Sequence, residues 1–267
     1  MGLPEPSVSG TALVTGASSG IGAAIARELA ARGHSVALVA RREERLRSLA
    51  TELNADHGVE AEVIACDVGE AAERQRLADE LGSRGRSVEI LVNNAGFGHQ
   101  ADFATSPRER MTEMVRVNCE AVVDLTSLFL KGMTERGRGS VINIASTGAF
   151  QPLPGSAVYG ATKAFVLSFS EAIRTELRGS GVTVTAVCPG PVRTEFMESA
   201  GIGGVEERTP GAVWMSAEEI ARHAVDGAKH DKRVVVPGTI NRVTALAGQH
   251  SPRSIALPLI GRIWRGL

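Results

Sequence analysis

Thr15-Gly16-Ala17-Ser18-Ser19-Gly20-Ile21-Gly22 is the stretch that decides the fold. It follows a short apolar run, Thr11-Ala12-Leu13-Val14-Thr15, which reads as a strand. It opens an alanine-rich segment, Ile21 to Arg32, which reads as a helix stopped by Gly33. The spacing is G-x-x-x-G-x-G. Gly16, Gly20 and Gly22 let the backbone turn sharply and approach a pyrophosphate, which would rest on the free N–H groups of the helix start. Ser18, Ser19 and Ile21 belong to the same cradle.

Working outward, strand-like and helix-like segments alternate. Strands are read at 35–40, 61–66, 88–92, 141–145, 182–187 and 233–236, and helices at 42–55, 70–81, 108–133 and 158–177. Ser106-Pro107 supplies the cap and first residue of the long 108–133 helix. The strands are apolar throughout rather than alternating, the mark of a parallel sheet covered on both faces. The expected fold is therefore α/β: a doubly wound, Rossmann-type single domain with a seven-stranded, mostly parallel sheet. Residues 1–10 are expected to be a flexible lead-in, 11–238 the domain, and 239–267 a helical tail packed on it. The segment 191–215 is irregular, and either a mobile flap over a pocket or a long surface connection fits it.

A second cluster carries chemistry. Tyr159, the only tyrosine among 267 residues, stands four places before Lys163, so both share one face of the 158–177 helix. Ser146 ends the apolar run Val141-Ile142-Asn143-Ile144-Ala145. A phenol, an ammonium and a hydroxyl are the groups needed to move a proton onto or off a substrate oxygen. A phenol titrates near pH 10, and a neighbouring ammonium would lower that value.

The second strand ends in Ala40-Arg41-Arg42, with no carboxylate in the position that grips a ribose 2′-hydroxyl in NAD sites. Two guanidiniums suit a 2′-phosphate, so NADP(H) is expected over NAD(H).

Together these residues resemble the short-chain dehydrogenase/reductase family, in its single-domain branch. The resemblance rests on TGASSGIG at 15–22, Asp67, NNAG at 93–96, Asn118, Ser146, YGATK at 159–163 and PG at 189–190. It implies an oxidoreductase that interconverts a carbonyl and a secondary alcohol by hydride transfer, with Tyr159 as general acid or base. Lys163 would lower its pKa and hold the nicotinamide ribose, and Ser146 would bind the substrate oxygen. Asn118 resembles the helix residue whose backbone carbonyl positions a water beside that lysine. The resemblance also implies that Asp67 and Val68 contact the adenine and that Asn93, Ala95, Gly96 and Val117 shape the cofactor floor. Pro189, Gly190, Val192 and Thr194 would hold the nicotinamide end. A finer similarity, to reductases with "ARR" and "YGATKAF", points toward a hydrophobic or lipid-like ketone. A nucleotide-binding sensor without turnover is the alternative, disfavoured by the intact Asn118, Ser146, Tyr159 and Lys163. An extended-branch epimerase fits less well, because those chains carry a G-x-x-G-x-x-G loop.

Composition narrows the rest. A formal net charge of −1 gives no argument for nucleic acid. Cys66, Cys119 and Cys188 have no ligand or CxxC spacing and suit reduced thiols in a cytoplasmic protein; no metal site is expected. No secretory signal or membrane-spanning run is read. From Lys232 to Leu267 there is no acidic residue, while Arg242, Arg253, Arg262 and Arg265 punctuate an apolar tail. That tail packs against another subunit, lines the substrate mouth, or lies on an anionic membrane through 251–265; packing is favoured over membrane contact. A homodimer or homotetramer built on the long helices is expected from the resemblance.

Overall fold

The computed structural model describes residues 2–201 and 211–265. Seven strands form one sheet: β1 (Gly10–Thr15), β2 (Val36–Ala40), β3 (Ala61–Ala65), β4 (Ser87–Asn93), β5 (Gly139–Ile144), β6 (Val182–Val187) and β7 (Val234–Val235). Their order is β3-β2-β1-β4-β5-β6-β7, and every pairing is parallel. The chain is thus a doubly wound, Rossmann-type single domain.

Period-two alternation sorts the strand side chains into two layers. Ala12, Val14, Leu38 and Ile142 face helices α1 (Gly20–Ala31), α2 (Glu43–His57) and α8 (Ala217–Lys229). Leu13, Val39, Leu91 and Val141 face α3 (Ala71–Ser83), the helix over Ala121–Glu135 and α6 (Ala157–Glu176). The edge strand β3 carries Glu62, which is held by Arg84 at 2.8 Å and by Arg86 at 2.5 Å. Charge on an exposed strand blunts edge-to-edge pairing.

The structure corrects one expected element. The rod over 108–135 is not one regular α-helix: α4 (Arg108–Val115) and α5 (Ala121–Glu135) are joined by a π turn over Arg116–Glu120. Hydrophobic spacing continues through such a turn, so periodicity does not reveal it. Asn118, which the π turn carries, is 1% exposed and is tied to a neighbouring loop rather than to its own helix axis.

After β6 the chain forms a five-residue helix, α7 (Glu195–Ser199), and residues 202–210 of the 191–215 segment lie outside the described residues. The capping box Ser216–Glu219 starts α8. The tail forms α9 (Thr239–His250) and α10 (Arg253–Arg265). Asn241, 4% exposed, anchors α9 by donating to the Val213 carbonyl at 3.0 Å. Among the described residues, no helix is long and apolar enough to cross a membrane.

Candidate active site

The sheet order sets β1 beside β4, so the loops that follow these two strands part toward opposite faces and leave a crevice at their carboxyl ends. The two loops are stapled together. Thr15 Oγ1 accepts from the backbone N–H groups of Asn94 and Ala95, both at 3.0 Å, and Asn94 Nδ2 donates to the Thr15 carbonyl at 2.9 Å. The resulting cleft has a volume of about 810 Å³.

The glycine loop fits a pyrophosphate on two grounds. Gly16 and Gly20 have φ of 66° and 55°, and a Cβ on Gly22 would lie 2.4 Å from the Gly16 carbonyl. Side chains at Gly16 and Gly20 would be strained, and one at Gly22 would push against the loop from beneath. The N-terminus of α1 is also open: Ser19 makes no side-chain cap, and the first turn holds no acidic residue. Gly16, Ser18, Ser19, Gly20 and Ile21 line the cleft, whereas Gly22 is buried beneath them.

At the end of the cleft beside β2 and β3, Arg41, Arg42, Asp67 and Val68 line the wall. Asp67 turns the chain by accepting from Gly69 N at 2.9 Å, and its carboxylate lies 3.6 Å from Arg41. The Val68 carbonyl is held at 2.8 Å by Arg74, a guanidinium 2% exposed that pairs with Asp124 and Glu120. Arg42 reaches the hydroxyls of Ser18 (3.0 Å) and Ser19 (2.7 Å) and the carboxylate of Glu195 (2.8 Å). Each arginine therefore has an acidic neighbour from a distant segment, Asp67 for Arg41 and Glu195 for Arg42. Glu195 stands 153 residues from Arg42 and carries no local signal of that pairing.

On the floor, Ala95, Gly96 and Val117 line the cleft. Asn93 does not. It is 3% exposed, and its Nδ2 donates to Asn143 Oδ1 (2.9 Å) and Thr126 Oγ1 (3.1 Å), tying β4 to β5 and α5 below. Asn94, which spacing does not single out from its neighbour, takes the lining position. Asn118 also lies behind the wall. Its Oδ1 accepts from Phe97 N (3.1 Å), and its Nδ2 donates to Phe97 O (3.0 Å) and Thr162 Oγ1 (3.1 Å). Thr162 in turn donates to the Tyr159 carbonyl at 2.8 Å, so the π turn braces the first turn of α6.

Tyr159, Lys163 and Ser146 converge on the cleft. Ser146 caps a short 3-10 turn over Thr147–Phe150, with its Oγ accepting from Gly148 N at 3.1 Å. Lys163 is 6% exposed and donates to the Ile144 carbonyl at 2.8 Å, with its Nζ 5.9 Å from the Tyr159 ring centre. Burial pulls the ammonium down to about 8, opposed by the thiols of Cys119 and Cys188. Burial also pushes the Tyr159 phenol above its usual range, opposed by a hydrogen bond with Ser146. This reverses the expected sign for the phenol. The expectation counted the ammonium and left out the desolvation of a buried phenolate, which is the largest cause of the shift.

Pro189, Gly190, Val192 and Thr194 line the other end. A Cβ on Gly190 would lie 2.4 Å from Asn241 Oδ1, so the anchor of α9 is packed directly beneath this turn. The Phe196 ring sits 5.6 Å from that of Tyr159. Phe97, Leu153, Phe196, Met197 and Ile260 make the remaining wall mostly apolar, with Arg110 stacked 4.2 Å over the Phe97 ring. Thr244 and Ala245 of α9 join Ile260 of α10 at the rim. Lining the substrate mouth is one of the three roles expected of the tail; Ile260 falls in the apolar run read there, whereas Thr244 and Ala245 precede it.

Fold and cleft together define a Rossmann-type, dinucleotide-binding class of protein, with a tyrosine, a lysine and a serine opening into the crevice. A family described as "short chain dehydrogenase" matches residues 10–202. The chain belongs to that family. It is 38% identical over 197 residues to the very-long-chain 3-oxoacyl-CoA reductase of Anas platyrhynchos, an alignment spanning 72% of this chain and 62% of the relative's length. A short-chain dehydrogenase from Sphingobium yanoikuyae, solved in complex with NADPH, superposes with a TM-score of 0.80 at 36% identity, covering 89% of this chain and 92% of that one. The bulky-bulky ketone specific alcohol dehydrogenase from Comamonas testosteroni gives a TM-score of 0.76 at 33% identity, with 85% of each chain covered.

Proposed function

We propose that the protein is an NADP(H)-dependent oxidoreductase that interconverts a ketone and a secondary alcohol, with Tyr159 as the proton donor and acceptor. One observation carries this reading: Tyr159, Ser146 and Lys163 open into the same cleft as the glycine loop. Bound there, a reduced nicotinamide supplies the hydride. A phenol whose pKa is raised by burial stays protonated near neutral pH, which suits it to donate to a carbonyl oxygen as that oxygen gains charge. Ser146, hydrogen-bonded to that phenol, stands where it can hold the same oxygen. The Ile144 carbonyl fixes Lys163 below, where its ammonium would meet a ribose hydroxyl. Asn118 and Thr162 set the first turn of α6, and so the height of Tyr159. Arg41 and Arg42 favour a 2′-phosphorylated cofactor.

The apolar wall of Phe97, Leu153, Phe196 and Met197 favours a hydrophobic ketone. Three free thiols support a reducing, cytoplasmic setting. Val123 of α5 and Phe165 of α6 are exposed apolar residues, which supports pairing of two copies on the long helices.

The test is NADPH consumption over ketones graded by chain length and bulk, for the wild type and Tyr159→Phe. The variant is expected to bind NADPH normally and to lose nearly all turnover. Full turnover without the phenol would overturn the assignment.

A further inference from the structure

We infer that Glu195 is a built-in competitor for the cofactor's 2′-phosphate and thereby sets the discrimination between phosphorylated and unphosphorylated nucleotides. The inference rests on the cofactor site proposed above. Glu195 opens α7, on the far side of the cleft from the arginines in sequence but against them in space. One carboxylate oxygen lies 2.8 Å from Arg42 Nη1, and the other is held by Arg45. The Arg42 fork meanwhile spans both hydroxyls of the glycine loop, Ser18 and Ser19. An anion is thus gripped by guanidiniums beside loop hydroxyls, the donor set that a phosphate monoester would use.

A second negative group arriving at Arg42 meets a carboxylate already there. It must displace Glu195 or share the guanidinium with it, and either course costs affinity. A nucleotide with a bare 2′-hydroxyl carries no charge to that spot and escapes the penalty. Arg42 and Glu195 are about half exposed, so the pair is separable rather than locked in the core.

The neighbours of Glu195 connect it to the rest of the cleft. Next to it, Thr194 lies close over Gly20, 3.1 Å from where a Cβ would stand, and Phe196 packs on the Tyr159 ring. Release of Glu195 by a 2′-phosphate therefore loosens the tie between α7 and the glycine loop on the substrate side of the cleft.

The experiment is calorimetric titration of the full chain with NADP⁺, NAD⁺, 2′,5′-ADP and 5′-AMP, for the wild type and Glu195→Gln. The neutral isostere is expected to tighten NADP⁺ and 2′,5′-ADP about fivefold, the scale of one exposed ion pair. NAD⁺ and 5′-AMP are expected to stay within about twofold of the wild type. Unchanged or weakened NADP⁺ binding would overturn the inference, and weakening would make Glu195 a clamp that orients Arg42. Equal tightening of all four ligands would also overturn it, since that reports a loosened flap rather than a charge contest. A wild type that binds NADP⁺ no better than NAD⁺ would sink the cofactor reading, while the Glu195→Gln comparison would still report on the competition itself.

Discussion

Replacing Lys163 with methionine removes a buried ammonium and keeps much of its stem. The fall from 10.5 to about 8 that burial imposes on this group corresponds to roughly 3 kcal/mol against its charged form in the folded protein. The substitution also strips the Ile144 carbonyl of its donor, a loss of about 2 kcal/mol that does not vary with pH. At pH 7 the variant is therefore expected to be about 1 kcal/mol more stable than the wild type. The sign reverses on the alkaline side. The unfolded chain holds the lysine proton more tightly than the folded one, so wild-type stability gains relative to the variant as pH rises from about 8 toward 10.5. Near the top of that window the variant is expected to be about 2 kcal/mol less stable. Urea unfolding of both proteins at closely spaced pH values gives the difference directly, because groups common to both cancel. A difference that stays flat across the window would show that Lys163 is not desolvated in the folded state, and the account of the cleft's electrostatics would fail. Turnover is expected to be lost in the variant at every pH.

Two further outcomes test other parts of the site. Arg41→Ala combined with Arg42→Ala is expected to weaken NADPH at least about tenfold more than NADH, read as the ratio of dissociation constants; an unchanged ratio refutes the role given to the two guanidiniums. Asp124→Asn leaves the buried Arg74 with Glu120 alone and is expected to lower stability by about 2 kcal/mol in denaturant titrations, with poorer cofactor binding because Arg74 also holds the Val68 carbonyl. No loss of stability would mean that the Arg74 charge is adequately satisfied without Asp124.

The sheet is legible in the sequence because its signal is local. Each of the runs at 11–15, 88–92 and 141–145 is mostly apolar, and glycine-rich turns or amphipathic stretches separate them. The glycine loop is legible for the same reason: strand, turn and helix start are contiguous. What spacing did not give is of two kinds. Long-range pairings leave no local trace, and Glu195 with Arg42 and Arg45, or Asn241 under Gly190, are of this kind. Adjacent identical residues are the other kind, since Asn93 and Asn94 differ only in which side of the β4 end they face, and one braces the core while the other lines the cleft. The sign of the phenol's pKa belongs with the long-range group, because the residues that bury Tyr159, such as Phe196, come from distant segments.

The contact between Gly190 and Asn241 limits how the protein can be re-engineered. Because the amide occupies the space that any side chain at 190 would need, the two positions form one heritable unit. A chimaera that borrows its last thirty or so residues from a relative would have to keep the asparagine, or change both sites together. Otherwise the grafted rim would unsettle the turn after β6 before it ever altered which ketones are accepted.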